Sequence, residues 1–160
     1  SNFFYIHNPA QKKKLKRTDS VILDIFPRIN EYYADTTRTY CLSPSKKFKK
    51  VWDLVYKAQE RALQNILPGM KASQAYDLAN DVFKEAGIAK AFKHGLGHGV
   101  GIAIHEYPSL ALKSKHTLKE NMVFTIEPGL YYPWGGVRIE DTFLLTKKGC
   151  LPLTKSQLEL

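Results

Sequence analysis

The stretch "NMVFTIEPGLYYPWGGVRIEDTFLLT", residues 121–146, decides the fold. Two runs rich in aromatic and β-branched residues, 121–132 and 135–146, flank Pro133 and Trp134. That composition favours strands, and proline belongs in the turn between them. The stretch therefore predicts a β-hairpin. Folded about Pro133 and Trp134, it sets Glu127 directly opposite Glu140. Opposed residues share a sheet face, with Cβ atoms roughly 5 Å apart, and like charges so placed repel. Both acids also follow apolar residues, in "FTIE" and "VRIE".

A second acid pair lies near the start of the chain. "SVILD" (20–24) reads as a short buried strand, and "EYYADTTRTYCL" (31–42) as its partner. "IFPRIN" between them supplies turn residues, so a hairpin closing at Ile29 and Asn30 is expected. It would place Asp24 opposite Asp35. Burying unpaired carboxylates costs several kcal/mol each, the order known for buried ions. Three remedies are open. The acids can share a proton, as carboxylate dyads do. Arg38 and Arg138 can neutralise them. Divalent cations can sit between them. Four acids against two arginines leave a deficit that metal ions would remove.

Between the hairpins lies "HGLGHGVGIAIHE", residues 94–106, with glycine at 95, 97, 99 and 101 and histidine at 94, 98 and 105. Glycine weakens helices and strands, so this segment gives up local stability for something else, as a close backbone approach would require. His94 and His98 on a helix would suggest a zinc face, but the glycines make that helix improbable. A dinucleotide fingerprint would need a βαβ context, which is missing. One imidazole added to four carboxylates makes an oxygen-rich ligand set. Such a set leans toward Mn²⁺, with Co²⁺, Fe²⁺ or Zn²⁺ as alternatives, and suits two metals roughly 3.5–4 Å apart.

The remaining segments complete an α+β pattern. Residues 44–69 carry an apolar stripe of Phe48, Val51, Val55, Ala58, Ala62 and Ile66 and predict a helix ended by Pro68 and Gly69. Residues 73–87 predict a second, with Ser73 as N-cap, Gly87 just past its end, and Leu78, Val82 and Ala86 toward the core. "GIAIHEYP" (101–108) predicts a strand. The expected architecture is a curved, mostly antiparallel sheet packed on helices.

Length and composition bound the function. The chain has 160 residues, 44% of them hydrophobic and 24% charged, which suits one globular domain. The net charge is +9, concentrated in lysine clusters such as 11–17 and 46–50. They are not interleaved with stacking aromatics, so no nucleic-acid partner is expected. No apolar run is long enough to span a membrane, and no signal peptide is legible. Cys41 and Cys150 match no metal or redox spacing. Free thiols in a cytoplasmic protein are expected.

The blocks "LD(x)10D(x)TRT", "HGLGHGVGIAIHEYP", "TIEPGLYY" and "GGVRIEDT" resemble the signature blocks of the pita-bread metallopeptidases. That superfamily includes aminopeptidase P, prolidase, methionine aminopeptidase and creatinase. "GVRIED" and "HGLGHGVG" with "HE.P" are most similar to bacterial Xaa-Pro dipeptidases and aminopeptidases. The resemblance implies the pita-bread fold and two divalent metal ions. It implies hydrolysis of the bond between an N-terminal residue and proline, so a peptide with proline second is the expected partner. Asp24, Asp35, His98, Glu127 and Glu140 match the metal ligands, with Asp35 and Glu140 bridging. Glu127 also matches the proton shuttle. His105 matches a histidine that stabilises the tetrahedral intermediate, and His7 one that contacts substrate at the mouth of the site. His94 and Arg138 match residues lining the proline pocket. The resemblance further implies that residues 1–160 are part of a C-terminal catalytic domain lacking its first helices. An apolar face left exposed or covered by another chain, and a homo-oligomer, are then expected. Alternatives are a non-catalytic or inactive module of the same fold, or a creatinase-like hydrolase, because fold does not fix chemistry.

Overall fold

The computed structural model describes residues 12–156. The chain opens with β1 (Val21–Ile25), β2 (Arg28–Ile29), β3 (Tyr32–Tyr33) and β4 (Thr36–Tyr40). Next come α1 (Lys46–Asn65) and α2 (Ala72–Glu85). The remaining strands are β5 (Gly97–Gly99), β6 (Glu106–Leu110), β7 (Val123–Ile126), β8 (Gly129–Tyr132), β9 (Gly135–Arg138), β10 (Asp141–Thr146) and β11 (Gly149–Pro152). Among the described residues every registered strand pair is antiparallel, and the largest sheet runs β11-β10-β7-β5-β6.

Helix α1 forms because its apolar residues recur on one face. Phe48, Val51, Val55, Ala58 and Ala62 are buried, and Ile66 follows them into the core. Ser45 caps its start, its hydroxyl accepting from the Phe48 N–H at 3.1 Å. Helix α2 differs from expectation at its start. It starts after Lys71, not Ser73, because Lys71 bridges to Thr117 and its N–H donates to the Gln74 side chain at 2.9 Å. Its buried face is Ala75, Tyr76, Ala79, Val82 and Phe83, whereas Ala86 is exposed and Leu78 half-buried. Gly87 follows the helix with φ +70°, the left-handed conformation expected there. Both helices pack on the sheet around Phe124, Ile126, Leu130, Val137, Ile139 and Phe143.

The two hairpins differ in how well their register was foreseen. The later one pairs Tyr132 with Gly135 and Gly129 with Arg138, and the same count continues to Ile126 and Asp141. Glu127 and Glu140 therefore stand opposite each other between β7–β10 and β8–β9. In the earlier hairpin the turn sits one residue later than expected. Ile29 pairs with Tyr32, and Asn30 and Glu31 both have positive φ, 48° and 72°. Every partner moves by two, so Asp24 faces Thr37. Asp35 lies diagonally from Asp24, a spacing that keeps both on one face. The expected strand over 101–108 is also corrected. Residues 101–105 form bends, and β6 starts at Glu106.

Two of the glycines are required by neighbouring strands. A Cβ on Gly97 would stand 1.9 Å from the Thr125 carbonyl oxygen, and one on Gly99 2.2 Å from that of Tyr107. Their bareness lets β5 slot between β7 and β6, which puts His98 at the sheet's inner edge. The approach is to neighbouring strands. Leu23, Ile25, Phe26, Ile29 and Tyr32 of the first hairpin are exposed. Cys41 and Cys150 are free thiols. His116 is half-buried and contacts Ser114 Oγ at 3.1 Å.

Candidate functional site

A cleft of about 460 Å³ gathers the expected residues. Asp24, Asp35, His94, His98, His105, Glu127, Arg138 and Glu140 all line it. His7, the remaining expected site residue, lies outside the described residues.

The acids enter from the two hairpins, which meet at a backbone bridge. Thr37 N–H donates to Glu140 O at 3.2 Å, and Glu140 N–H to Thr37 O at 3.0 Å. The Thr37 hydroxyl lies between two carboxylates, 3.1 Å from Asp24 Oδ1 and in a short contact with Glu140 Oε2. The two arginines divide. Arg138 pairs with Asp24, and its Nε donates to Thr37 Oγ1 at 3.1 Å. Arg38 pairs instead with buried Asp141, at 2.9 and 3.0 Å, and donates to the Glu140 carbonyl at 2.7 Å. Arg138 thus pairs closely with Asp24 and only at 4.0 Å with Glu140, while Asp35, Glu127 and Glu140 crowd around His98.

His98 is oriented by its own strand. Its N–H donates to Thr125 Oγ1 at 3.1 Å, and that hydroxyl lies 3.3 Å from Glu127 Oε1. Nδ1 lies 3.1 Å from the Gly99 carbonyl, which can only accept, so Nδ1 carries a proton. Nε2 then faces Glu127 Oε1 at 3.3 Å and Asp35 Oδ2 at 3.7 Å. The His105 ring packs edge-on against that of His98, with centroids 4.2 Å apart. His94 follows the same logic. Its Nδ1 is 2.7 Å from the Gly95 carbonyl, and its Nε2 shares a hydrogen bond with the Tyr131 hydroxyl at 2.9 Å.

The electrostatics show the strain of this crowding. Burial, with the Asp24 charge added, pushes the Asp35 carboxyl up to about 6. Burial and the charges of Glu127 and Asp35 push Glu140 well above the usual carboxylate range. Burial opposes ionisation of Glu127 too, but the hydrogen bond from His98 and the neighbouring cations hold it below its ordinary value. Burial likewise opposes the charged form of His98, and Glu127 outweighs it, raising its value.

The donor set fits a divalent cation. Asp35, His98 and Glu140 each offer a ligand atom, and these atoms lie within 4.8 Å of one another. Asp35 Oδ1 is buried with no hydrogen-bond partner, a costly state that an ion would relieve. Carboxylates with one imidazole suit first-row divalent metals.

Two supporting residues were not foreseen. Gln59, buried on α1, donates to the carbonyls of Ile126 at 3.2 Å and Ile139 at 3.5 Å, the residues just before Glu127 and Glu140. A glutamine beside the apolar stripe was the only sequence signal for it. Tyr131 joins His94 to Arg138, accepting from Arg138 at 3.3 Å. Burial pushes its phenol up to about 12, so it remains a neutral donor.

Comparison with known proteins gives the family and the fold. The chain is 44% identical over 156 residues to the Xaa-Pro dipeptidase of Pyrococcus furiosus, covering 96% of this chain and 45% of the relative. It is 42% identical to that of Pyrococcus horikoshii, again over 96% of this chain and covering 44% of the relative. The solved prolidase from P. furiosus superposes with a TM-score of 0.94 at 42% identity, over 98% of this chain and 47% of that one. The X-Pro aminopeptidase of Thermotoga maritima superposes at 0.93 with 35% identity, over 97% and 45%. This chain therefore spans a little under half the length of these relatives, and it shares the pita-bread fold with them. Residues 1–147 match the metallopeptidase family M24, and the chain belongs to that family.

Proposed function

We propose that the protein is a dinuclear metal-dependent peptidase that hydrolyses the bond between an N-terminal residue and proline. The observation that carries this reading is the orphaned Asp35 Oδ1, buried beside His98, Glu127 and Glu140 in the cleft of an M24 chain. Asp24, Asp35, His98, Glu127 and Glu140 would hold two divalent ions. Mn²⁺ suits this oxygen-rich set best. When bound, such ions lower the pKa of a water toward neutrality and polarise a carbonyl.

The chain's own groups supply the rest. Glu127 is held below its ordinary value, so its carboxylate accepts the proton of the water that adds to the carbonyl carbon and passes it to the proline nitrogen as the C–N bond breaks. His105, beside His98 at the cleft wall, donates to the oxyanion as the carbonyl becomes tetrahedral. His94 and Arg138 line the substrate side, and Tyr131 fixes both. His7 would contact substrate at the mouth of the site.

The test is direct. The protein is incubated with Mn²⁺ or Co²⁺, bound metal is measured, and an Xaa-Pro dipeptide is assayed beside a longer Xaa-Pro peptide and a Met-initiated one. Two ions per chain with proline-selective cleavage supports the reading. No bound metal at saturating Mn²⁺ sinks it. The exposed apolar residues of the first hairpin support association with a second copy, which light scattering checks. Among the described residues no helix is long and apolar enough to cross a membrane.

A further inference from the structure

The junction between the two hairpins is a hybrid ladder. At its centre, Thr37 and Glu140 exchange two backbone hydrogen bonds. Two residues to one side, the Thr142 hydroxyl takes the place of a strand backbone. It accepts from the Asp35 N–H at 3.0 Å and donates to the Asp35 carbonyl at 2.8 Å. Two residues to the other side, the Thr39 hydroxyl does the same for Arg138, accepting from its N–H at 2.9 Å and donating to its carbonyl at 2.8 Å. The antiparallel register continues through all three rungs, from Asp35 with Thr142, through Thr37 with Glu140, to Thr39 with Arg138.

In an ordinary ladder, strands lie about 4.8 Å apart throughout. Here a side chain is inserted at each flank, so the hairpins touch closely at the central rung and splay away from it. The two backbones held by hydroxyls are those of Asp35, with its orphaned carboxylate oxygen, and Arg138, the cation on Asp24. Both hydroxyls are 2% exposed and use donor and acceptor at once, so water does not substitute for them.

We propose that the hydroxyls of Thr39 and Thr142 are positioning groups that set the gap between the two carboxylate hairpins, and with it the affinity of the divalent-metal centre. This rests on the reading of the site as a metal centre. Groups that orient ligands from outside the coordination sphere typically contribute on the order of 10- to 100-fold in metal affinity. Valine keeps the shape of threonine and removes the hydroxyl; serine keeps the hydroxyl and removes the methyl.

The experiment titrates Mn²⁺ calorimetrically into the parent protein, Thr39→Val, Thr142→Val, Thr39→Ser and Thr142→Ser. It is run at a temperature where circular dichroism shows each metal-free variant folded. The valine variants are expected to bind about tenfold or more weakly, and the serine variants within about twofold of the parent. Valine variants that bind like the parent, or serine variants as weak as valine, overturn the proposal. Should a valine variant not fold, amide exchange on the parent decides. The Asp35 and Arg138 amides are expected to be protected like ladder amides and to slow further with Mn²⁺. Exchange at loop rates, or unchanged by Mn²⁺, overturns it. A parent that binds no divalent ion refutes the metal-centre reading itself, a different outcome from variants that match a metal-binding parent.

Discussion

The two hairpins that carry the acids are built to different standards. The later one is buried along β7, β8, β9 and β10, and its ladder count runs unbroken from Ile126–Asp141 to Tyr132–Gly135. The earlier one is mostly exposed from Leu23 to Tyr32 and breaks between β1 and β2 and between β3 and β4. One hairpin is a frame fixed by packing. The other is docked to that frame through the Thr37–Glu140 bridge, the Arg138–Asp24 pair and the Arg38–Asp141 pair. Register is strongly specified where a face is buried and weakly where it is not. The buried hairpin carries Glu127 and Glu140, whereas the docked one brings Asp24 and Asp35 to the same cleft.

The largest effect should come from the frame's own chemistry. Glu127→Gln is expected to reduce Xaa-Pro turnover by about 10²- to 10⁴-fold, the range for a lost general acid–base. Its urea midpoint should stay near that of the parent, because the amide retains shape and hydrogen bonds. Loss of the fold together with activity would show that the frame depends on its acid. The docking is tested next. Arg138→Met removes the cation from a buried pair and is expected to cost about 3 kcal/mol of stability, at the lower end for such pairs because Asp24 is partly exposed. Comparison of urea curves with and without Mn²⁺ checks whether the ion then recovers part of that loss.

A pH series probes the crowding without mutation. Asp35 is raised to about 6 in the fold against 3.8 in a free chain, and Glu140 is raised too. The folded state therefore binds more protons than the unfolded one. The metal-free protein should be favoured below pH 4 as far as these groups are concerned. That contribution should be lost as pH rises from about 4 through 6, by at most about 1.4 kcal/mol per pH unit for one proton. Mn²⁺ should flatten the loss, and its affinity should rise over the same interval because it competes with those protons. Unfolding curves at each pH measure the first expectation, and calorimetry the second. The smallest effect belongs to the turn. Glu31→Gly relieves a positive φ at a non-glycine residue and should stabilise the protein by up to about 1 kcal/mol, less the exposed ion pair with Arg28. A thermal melt decides it, and destabilisation would mean that the ion pair matters more than the backbone.

The legibility of the site follows from these contrasts. Glu127 and Glu140 could be paired from spacing because proline and a buried period-two pattern fixed the turn. Asp24 and Asp35 were placed on the right face but two residues out of register. Glutamate is a poor indicator of a left-handed turn residue, so Asn30–Glu31 did not stand out. The α1 stripe was legible because 3.6-residue periodicity is local. The start of α2 was not, because it depends on Lys71 bridging to Thr117, far along the chain. Residues 101–105 alternate like a strand, yet Ile102 is exposed and the backbone bends, since Tyr33 N–H bonds the Gly101 carbonyl across hairpins. Gln59, Thr39 and Thr142 act through contacts 67 to 107 residues away, which no local pattern reports.

Gly97 and Gly99 carry a further consequence. The imidazole between them is located by the carbonyls of two adjacent strands pressing into space where side chains would be. Its place along the strand is thus written into the spacing of the sheet, and its orientation into the Gly99 carbonyl beside Nδ1. An attempt to reposition that ring by altering its immediate partners would meet a backbone with no slack. The exposed, interrupted hairpin lines the other side of the cleft, and variation in ligand distance is to be sought there.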